Sequence, residues 1–451
     1  MKSAIVLAAG KGTRMKSALC KVMHPVCGKP MIGHIVSALK NAGVEKIIVV
    51  VGHDAEKVKE YLNDEVAYAI QSPQLGTGHA VMQADSLVDE EGDTIVLNGD
   101  GPCIQSETIQ KAFEANRDHA LTVLSAKLDD GAHYGRIIRD GDGKVAKIVE
   151  AKDCSEKERA VNEINTGLFV FKTKELFAGL KEIRNDNAQQ EYYLTDLVEI
   201  FNRKGWSTNA MVVEDPDETM GVNDRVDLAQ AEAWMRNDIN RRHMLNGVTL
   251  VDPAHTYIGA DVEIGADTTI YPNVMIEGET HIGAHVQILP NSFLSNAKIG
   301  DDVLIDSSKI VDSQVDAHTT VGPMSHLRNH THVHENCRIG NFVEFKNSDF
   351  GNGSKCAHLT YIGDSDFGEK INVGCGVVTV NYDGKNKYRT TVKDGAFIGS
   401  NCNLIAPVTI GENALLAAGS TITDSVNDGD MGIARARQTI KAGFGEQYKK
   451  K

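Results

Sequence analysis

The stretch Ile258-Gly259-Ala260-Asp261-Val262-Glu263-Ile264-Gly265-Ala266-Asp267-Thr268-Thr269-Ile270-Tyr271-Pro272-Asn273-Val274-Met275-Ile276 decides the fold of the second half of the chain. Isoleucine returns at every sixth residue, and does so again at Ile282 and Ile288. After slips of one residue the beat continues through Ile305, Val321, Leu327, Val333, Ile339 and Phe345, then Ile398, Leu404, Ile410, Leu416 and Ile422. A helix repeats its apolar face at 3.6 residues and a strand at two. Six fits short strands joined by tight turns, with one apolar side chain per side pointing into a continuous core. Three hexads then close one triangular coil of about 18 residues, and the ladder predicts a solenoid of about ten coils. A glycine often follows the apolar residue, as at Gly265, Gly283 and Gly340. The beat is lost between Thr379 and Ile398, across the polar run from Val380 to Arg389. Polar loops thrown out of a regular scaffold commonly carry function.

The first half has a different rhythm. Ser3–Ala8 reads as a buried strand, followed by the glycine-rich loop Ala9-Gly10-Lys11-Gly12-Thr13-Arg14-Met15. Pro30 opens a helix with Ile32, Ile35, Val36 and Leu39 on one face, closed near Gly43. Strand-like Lys46–Val51, Ala67–Ile70 and Thr94–Leu97 follow, with a helix from about Gly78 to Ser86 between the last two. This alternation predicts a mostly parallel α/β sheet. Ligands of such sheets bind beyond the carboxyl ends of the strands, so the loops after Leu7 and Leu97 should face one site. The glycine loop fits neither the dinucleotide spacing nor a Walker loop. It remains a loop whose small residues let backbone N–H groups approach phosphate. A helix from about Asp224 to Asn246, capped by Asn223 and ended by Gly247, is expected between the halves. Val226, Ala229, Ala233 and Ile239 would line one side of it.

The chain has 451 residues, enough for two or three domains. Its net charge of −15 argues against a general nucleic-acid or membrane-surface binder. No apolar run is long enough to span a bilayer, and the N-terminus runs directly into a strand without a signal pattern. The eight cysteines are scattered with no metal-type pairing, as expected of thiols in a reducing cytoplasm.

The motifs carry a resemblance. The ladder resembles the hexapeptide-repeat left-handed β-helix of acyltransferases. Leu7-Ala8-Ala9-Gly10-x-Gly12-Thr13-Arg14-Met15 with Lys21 resembles the signature of sugar-1-phosphate nucleotidylyltransferases. In the same order follow Gln71-x-x-Gln74-Leu75-Gly76-Thr77-Gly78, Asn98-Gly99-Asp100, Tyr134-Gly135-Arg136, Val149-Glu150, Glu163-Ile164-Asn165-Thr166-Gly167 and Gly221-Val222-Asn223. Together the two halves resemble the bifunctional N-acetylglucosamine-1-phosphate uridylyltransferase / glucosamine-1-phosphate N-acetyltransferase family over essentially the whole chain. The fold class this implies is α/β: a Rossmann-like nucleotidyltransferase domain at 1–222, a linker helix at 223–247 and a left-handed parallel β-helix at 248–451.

The resemblance also implies roles. Asp100 and Asn223 would hold Mg²⁺, and Arg14 and Lys21 would stabilise the phosphates of UTP. Leu7, Ala8, Ala9, Gly10, Gln71, Gly76 and Thr77 would contact the nucleotide, and Gly135, Glu150 and Asn165 the acetylated sugar. In the solenoid, His358 would be the general base that frees the sugar amine to attack acetyl-CoA. The histidine reference pKa of about 6.5 suits that task. Arg328, Lys346, Tyr361 and Asn372 would bind glucosamine-1-phosphate. Cys375, Asn381, Tyr382, Ser400, Ala418 and Arg435 would contact acetyl-CoA. The partners implied are small-molecule substrates and two further copies of the chain in a homotrimer, with no nucleic acid and no membrane, in the cytoplasm.

Departures from the family pattern cluster near key residues: Cys20, Gly101, Cys103, Asn329, Cys356 and Cys375. The dense histidines His326, His330, His332 and His334 read as exposed turn residues rather than a zinc site. The tail from Gly443 to Lys451 is expected to fray. Two rival readings remain: a nucleotidyltransferase whose solenoid is only a scaffold, as in ADP-glucose pyrophosphorylases, and a catalytically dead binding protein.

Overall fold

In the computed structural model, residues 1–52, 55–131, 134–187 and 189–449 are described. The chain forms two compact units, Met1–Met235 and Arg236–Lys451.

The first unit is built on a twisted sheet. Its strands are β1 (Lys2–Ala8), β2 (Lys46–Val51), β3 (Ala67–Ile70), β4 (Asp93–Asn98), β5 (Leu121–Lys127), β6 (Arg136–Arg139), β7 (Val145–Val149), β8 (Glu163–Lys172) and β9 (Thr208–Val212). The spatial order is β9-β5-β8-β4-β1-β2-β3, with the β6–β7 ribbon attached to β8. β1 pairs in parallel with β2 and β4, and β2 with β3, while β8 runs antiparallel between β4 and β5. Ala4, Ile5, Val6, Ile48, Val49, Val50, Ile95 and Val96 are fully buried or nearly so, because both sheet faces are covered. The helix opened by Pro30 spans Met31–Asn41 and buries Ile32, Ile35, Val36 and Leu39 as its periodicity predicts. The helix expected from Gly78 is shorter, Thr77–Met82.

The helix expected between the halves runs Arg225–Leu245. Its cap is Asp224, whose carboxylate accepts from the amides of Val226 (2.8 Å) and Asp227 (3.1 Å). Asn223 is not the cap; its own amide donates to Asp227 (2.8 Å), so its side chain is turned elsewhere. Val226 and Ala229 are exposed, and the buried line is Ala231, Met235 and Ile239 at four-residue spacing. The expected face was rotated because Trp234 Nε1 is drawn to the Asp215 carboxylate (3.1 Å) and Glu232 to the Cys27 amide (2.6 Å).

The second unit is a left-handed parallel β-helix, and its inward side chains form three stacks. One passes through Ile258, Ile276, Leu294, Ile310, Leu327, Phe345 and Ile362. Another passes through Ile270, Ile288, Ile305, Val321, Ile339, Cys356, Val373, Ile398 and Leu416. The third runs Ile264, Ile282, Ile299, Val315, Val333, Phe350, Phe367, Val392 and Ile410. Cys356 therefore fills an aliphatic position, and burial pushes its thiol up to about 12. Glycine after the apolar residue answers to close stacking. A Cβ on Gly265 would stand 2.6 Å from the Gly283 carbonyl carbon in the next coil. The corners instead carry left-handed non-glycine residues such as Asn291, Asp302 and His318. Of the tail, Phe444–Tyr448 forms a 3₁₀ turn with every residue exposed, and Lys450 and Lys451 lie outside the described residues.

Two outcomes are expected. Phe345→Ala removes a ring packed edge-on against Phe350 at 5.0 Å and should lower the stability of the β-helix by about 3–5 kcal/mol in a calorimetric melt. Asp196, half-buried before the helix Leu197–Arg203, has its carboxyl raised from 3.8 to about 6 by burial and then by Glu199 and Glu150. Its folded value exceeds the unfolded one, so stability is lost as pH rises from about 4 to about 6. Asp196→Asn should raise the melting temperature of the first unit at pH 7.5 and give no gain at pH 4. The gain is on the order of 1 kcal/mol after solvent screening is discounted.

Candidate functional site

The carboxyl ends of β1 and β4 lie side by side, with Leu7 in register with Asn98. The loops that leave them, Ala9–Met15 and Gly99–Pro102, open onto one cavity of about 450 Å³. Its wall includes Leu7, Ala8, Ala9, Gly10, Arg14, Lys21, Gln71, Gly76, Thr77, Asp100 and Asn223. A second cavity of about 230 Å³ adjoins it, walled by Gly135, Glu150 and Asn165 among others. Leu7, Thr77, Asn98, Asp100 and Asn223 line both. All the sequence-predicted residues of the first half are thus brought to this double cavity.

Asp100 and Asn223 mark the junction. The Lys21 ammonium, only 10% exposed, sits 2.5 Å from Asp100 Oδ2 and 2.9 Å from Asn223 Oδ1. Arg14 donates to the same Asn223 oxygen at 2.9 Å. A carboxylate and an amide oxygen therefore converge on one cation, here the lysine. That donor set fits a hard divalent ion that keeps most of its waters. Gly12 is left-handed, and a Cβ there would lie 2.6 Å from Lys21 Cβ, so this glycine is what allows the lysine to reach the junction.

The remaining polar groups are held in place. Buried Gln71 donates to the Gly76 carbonyl at 3.0 Å, and Gln74 donates to the Ala9 carbonyl, tying the loop at 71–77 to the glycine loop. Burial raises the Glu150 carboxyl, partly offset by a hydrogen bond from Thr195 at 3.3 Å. The Asn165 amide N–H donates to the Gly135 carbonyl at 2.8 Å, joining two walls of the smaller cavity. Glu191, Leu194 and Thr195 also line these cavities and were not singled out from sequence. They lie in an irregular segment that carries no periodicity or motif.

In the β-helix, the sequence-predicted residues fall into two groups. The first is cationic. Lys346 Nζ pairs with Asp364 at 3.0 Å, and Asn381 and Asn347 donate to the same carboxylate, the latter at 2.6 Å. Burial opposes the charge on Lys346, but Asp364 wins and holds its pKa up. Arg328 stacks directly below Lys346 and pairs with Glu344 at 2.7 Å. Lys387, from the loop that interrupts the ladder, faces Lys346 and has its pKa pushed down by it. Asp364 and Lys387 were not assigned a role from sequence; only pairing across the coil reveals them.

The second group follows one edge of the solenoid. Asn341 is in register with His358, and its amide oxygen lies 3.2 Å from His358 Nδ1. The same register carried upward stacks His358, Cys375, Ser400 and Ala418. It is marked by the Asn401 amide donating to the Cys375 carbonyl (2.7 Å) and the Gly419 amide to the Ser400 carbonyl (2.8 Å). Arg435 passes over Gly419. Tyr361 stacks on Glu344, between the groups. Asn372 stands apart, exposed between Lys355 and Phe397, and Tyr382 bonds within its own loop to the Gly384 carbonyl at 2.7 Å.

Comparisons with known proteins agree with both halves. The family described as "Nucleotidyl transferase" matches residues 3–235, and "Bacterial transferase hexapeptide (six repeats)" matches 389–424. The chain is 53% identical to "Bifunctional protein GlmU" of Geobacillus sp. (strain WCH70), over 98% of this chain and 97% of that protein. It is 52% identical to the protein of that name from Exiguobacterium sibiricum, over 98% of this chain and 99% of the relative. The Clostridioides difficile (strain 630) protein of the same name is 49% identical over 99% and 98%. With a nucleotidyl transferase match in one half, a hexapeptide β-helix in the other and such likeness along its whole length, the chain belongs to the GlmU family of bifunctional transferases.

Proposed function

We propose that this enzyme makes UDP-N-acetylglucosamine in two steps. The β-helix at 248–451 acetylates glucosamine-1-phosphate from acetyl-CoA. The domain at 1–222 then transfers uridylyl from UTP to N-acetylglucosamine-1-phosphate and releases pyrophosphate, with 223–247 as the connecting segment. The observation that carries the reading is the junction of the two cavities at Asp100, Asn223 and Lys21.

In the uridylyl transfer, UTP takes the larger cavity, with its phosphates against the glycine loop and Arg14. Its uracil ring meets Gln71, Gly76 and Thr77, and the sugar phosphate takes the smaller cavity beside Gly135, Glu150 and Asn165. Phosphoryl chemistry asks for neutralised charge and in-line positioning more than for acid–base work. Mg²⁺ bound at Asp100 and Asn223 supplies part of that neutralisation. Lys21, released from Asp100, carries its charge to the phosphates.

In the acetyl transfer, Arg328, Lys346 and Lys387 form a cationic cradle suited to a sugar phosphate. With Nδ1–H donating to Asn341, His358 keeps Nε2 as an acceptor for the proton of the attacking amine. The new C–N bond forms at the acetyl carbon, the C–S bond breaks, and the proton passes to the leaving thiolate. Coenzyme A would lie along the edge through Cys375, Ser400, Ala418 and Arg435, with Asn381 and Tyr382 from the loop. A homotrimer through the β-helix, with this edge at the subunit contact, is supported by three apolar side chains stacked beside it. Met324, Phe342 and Leu359 sit at left-handed corners and are 58%, 60% and 60% exposed. A cytoplasmic enzyme is consistent with the cysteines Cys154, Cys337, Cys356, Cys375 and Cys402, none of which is joined in a disulfide. Among the described residues, no helix is long and apolar enough to cross a membrane.

Mixing the protein with glucosamine-1-phosphate, acetyl-CoA, UTP and Mg²⁺ should yield UDP-N-acetylglucosamine by mass analysis, and omitting acetyl-CoA or Mg²⁺ should abolish it. Uridylylation of supplied N-acetylglucosamine-1-phosphate with no acetylation would instead make the solenoid a scaffold. His358→Asn should slow acetylation by about 10²–10⁴-fold and leave uridylylation intact. Lys21→Ala should do the reverse, by about 10²–10³-fold. Phe342→Glu should dissociate the trimer in sedimentation velocity and cost acetylation while sparing uridylylation.

A further inference from the structure

The histidines near position 330 do not all behave as exposed turn residues. His330 does: it is exposed at a left-handed corner. His332 and His334 lie two residues apart along the strand direction, so they share the outer face of one coil. Their rings lie 3.9 Å apart, centroid to centroid. Carboxylates come from the coils on either side. Asp316 stacks next to His334 from the preceding coil, its amide bound to the Val333 carbonyl, and Asp349 is in register with His332 from the following one.

We propose that Asp316, His332 and His334 form a binding site for a zinc-class divalent cation, outside both transferase sites. One ligand atom from each falls within 4.8 Å of the others. Asp316 Oδ2 lies 2.8 Å from His332 Nε2 and 3.6 Å from His334 Nδ1. The other nitrogen of His334, Nε2, is 3.1 Å from both oxygens of Asp349. A carboxylate that receives the far N–H of a ligating imidazole is the usual device for fixing its tautomer and raising its basicity. Gln314 donates to the second oxygen of Asp316 at 2.8 Å and aims that carboxylate in turn.

The chemistry of the set selects the ion. Two imidazoles and one carboxylate favour Zn²⁺, Co²⁺ or Ni²⁺ over Mg²⁺ or Ca²⁺. Three protein ligands leave one position for water. The three ligands would cross-link two consecutive coils, with Asp349 of the next coil holding His334.

Other histidines of this unit make carboxylate pairs without this convergence. His255, His281, His285 and His318 each face one acid, and their side chains are 62%, 51%, 57% and 58% exposed. His332 and His334 are 30% and 31% exposed and share their two acids. Four charge-complementary groups held by three locked backbones need little reorganisation to accept an ion.

The test uses the full-length protein, stripped with chelator and held in excess Mg²⁺ so that the Asp100–Asn223 oxygens do not compete. Zn²⁺ alone is titrated by equilibrium dialysis, and Co²⁺ is followed by its ligand-field absorption. The unaltered chain should bind one more equivalent of Zn²⁺ than His332→Gln/His334→Gln, show a Co²⁺ spectrum that the double variant lacks, and melt higher with Zn²⁺. Asp349→Asn should keep the site but weaken it about 10–100-fold. Circular dichroism of the variants checks that the β-helix is intact. Equal stoichiometry and affinity in the unaltered and double-variant chains would overturn the proposal, as would Zn²⁺ binding only at millimolar concentration.

Discussion

Parallel pairing at a fixed register is the constraint on which both halves of this protein depend. Parallel strands bring the same ends of neighbouring segments together. In the first unit this sets the carboxyl ends of β1 and β4 beside each other, and two loops far apart in sequence share one cavity. In the second unit it places residue upon residue along the solenoid. A ladder of apolar side chains then becomes a dry core, and a ladder of polar ones becomes a site. Without that register, Asn341 would not meet His358, nor Asp316 meet His332.

The same regularity explains where function departs from it. The hexad scaffold tolerates a polar excursion only if the coils around it close properly. At the break, Thr379 replaces an aliphatic residue in the inward stack and satisfies its hydroxyl on the Gly363 backbone, whose amide donates at 2.7 Å. The loop that follows delivers Asn381 and Lys387 to the Asp364–Lys346 pair. In the first unit the comparable device is Gly12. Its left-handed backbone and missing side chain let Lys21 reach two oxygens that would otherwise face each other across the junction.

Charge is managed locally in both sites. In a chain with a net charge of −15, the cations of both candidate sites are paired with single acids. Lys21 rests on Asp100, Lys346 on Asp364 and Arg328 on Glu344. Each pair keeps the cation oriented and compensated.

Much of this was legible in the sequence, because periodicity and short motifs are local. The six-residue beat specified much of the three stacks, though Leu294, Ile310 and Phe350 fell outside it, and the motif set named many residues of the double cavity's walls. The boundaries of the Arg225–Leu245 helix were close, but its cap and, Ile239 apart, its buried face were not. Those depend on Asp215, Cys27 and Asp227, which no periodicity announces. Glu191, Thr195, Asp364 and Lys387 lay in irregular or polar segments where spacing carries no information. The carboxylates that face the histidines near 330 escaped the periodicity for the same reason. Sequence shows that His332 and His334 alternate, but the acids that face them arrive from one coil before and one coil after. Fold class followed from the order of side chains along the chain. Which groups share a cation, a carboxylate or a proton was decided only when the coils and strands stacked, because those distances are set across the backbone ladder.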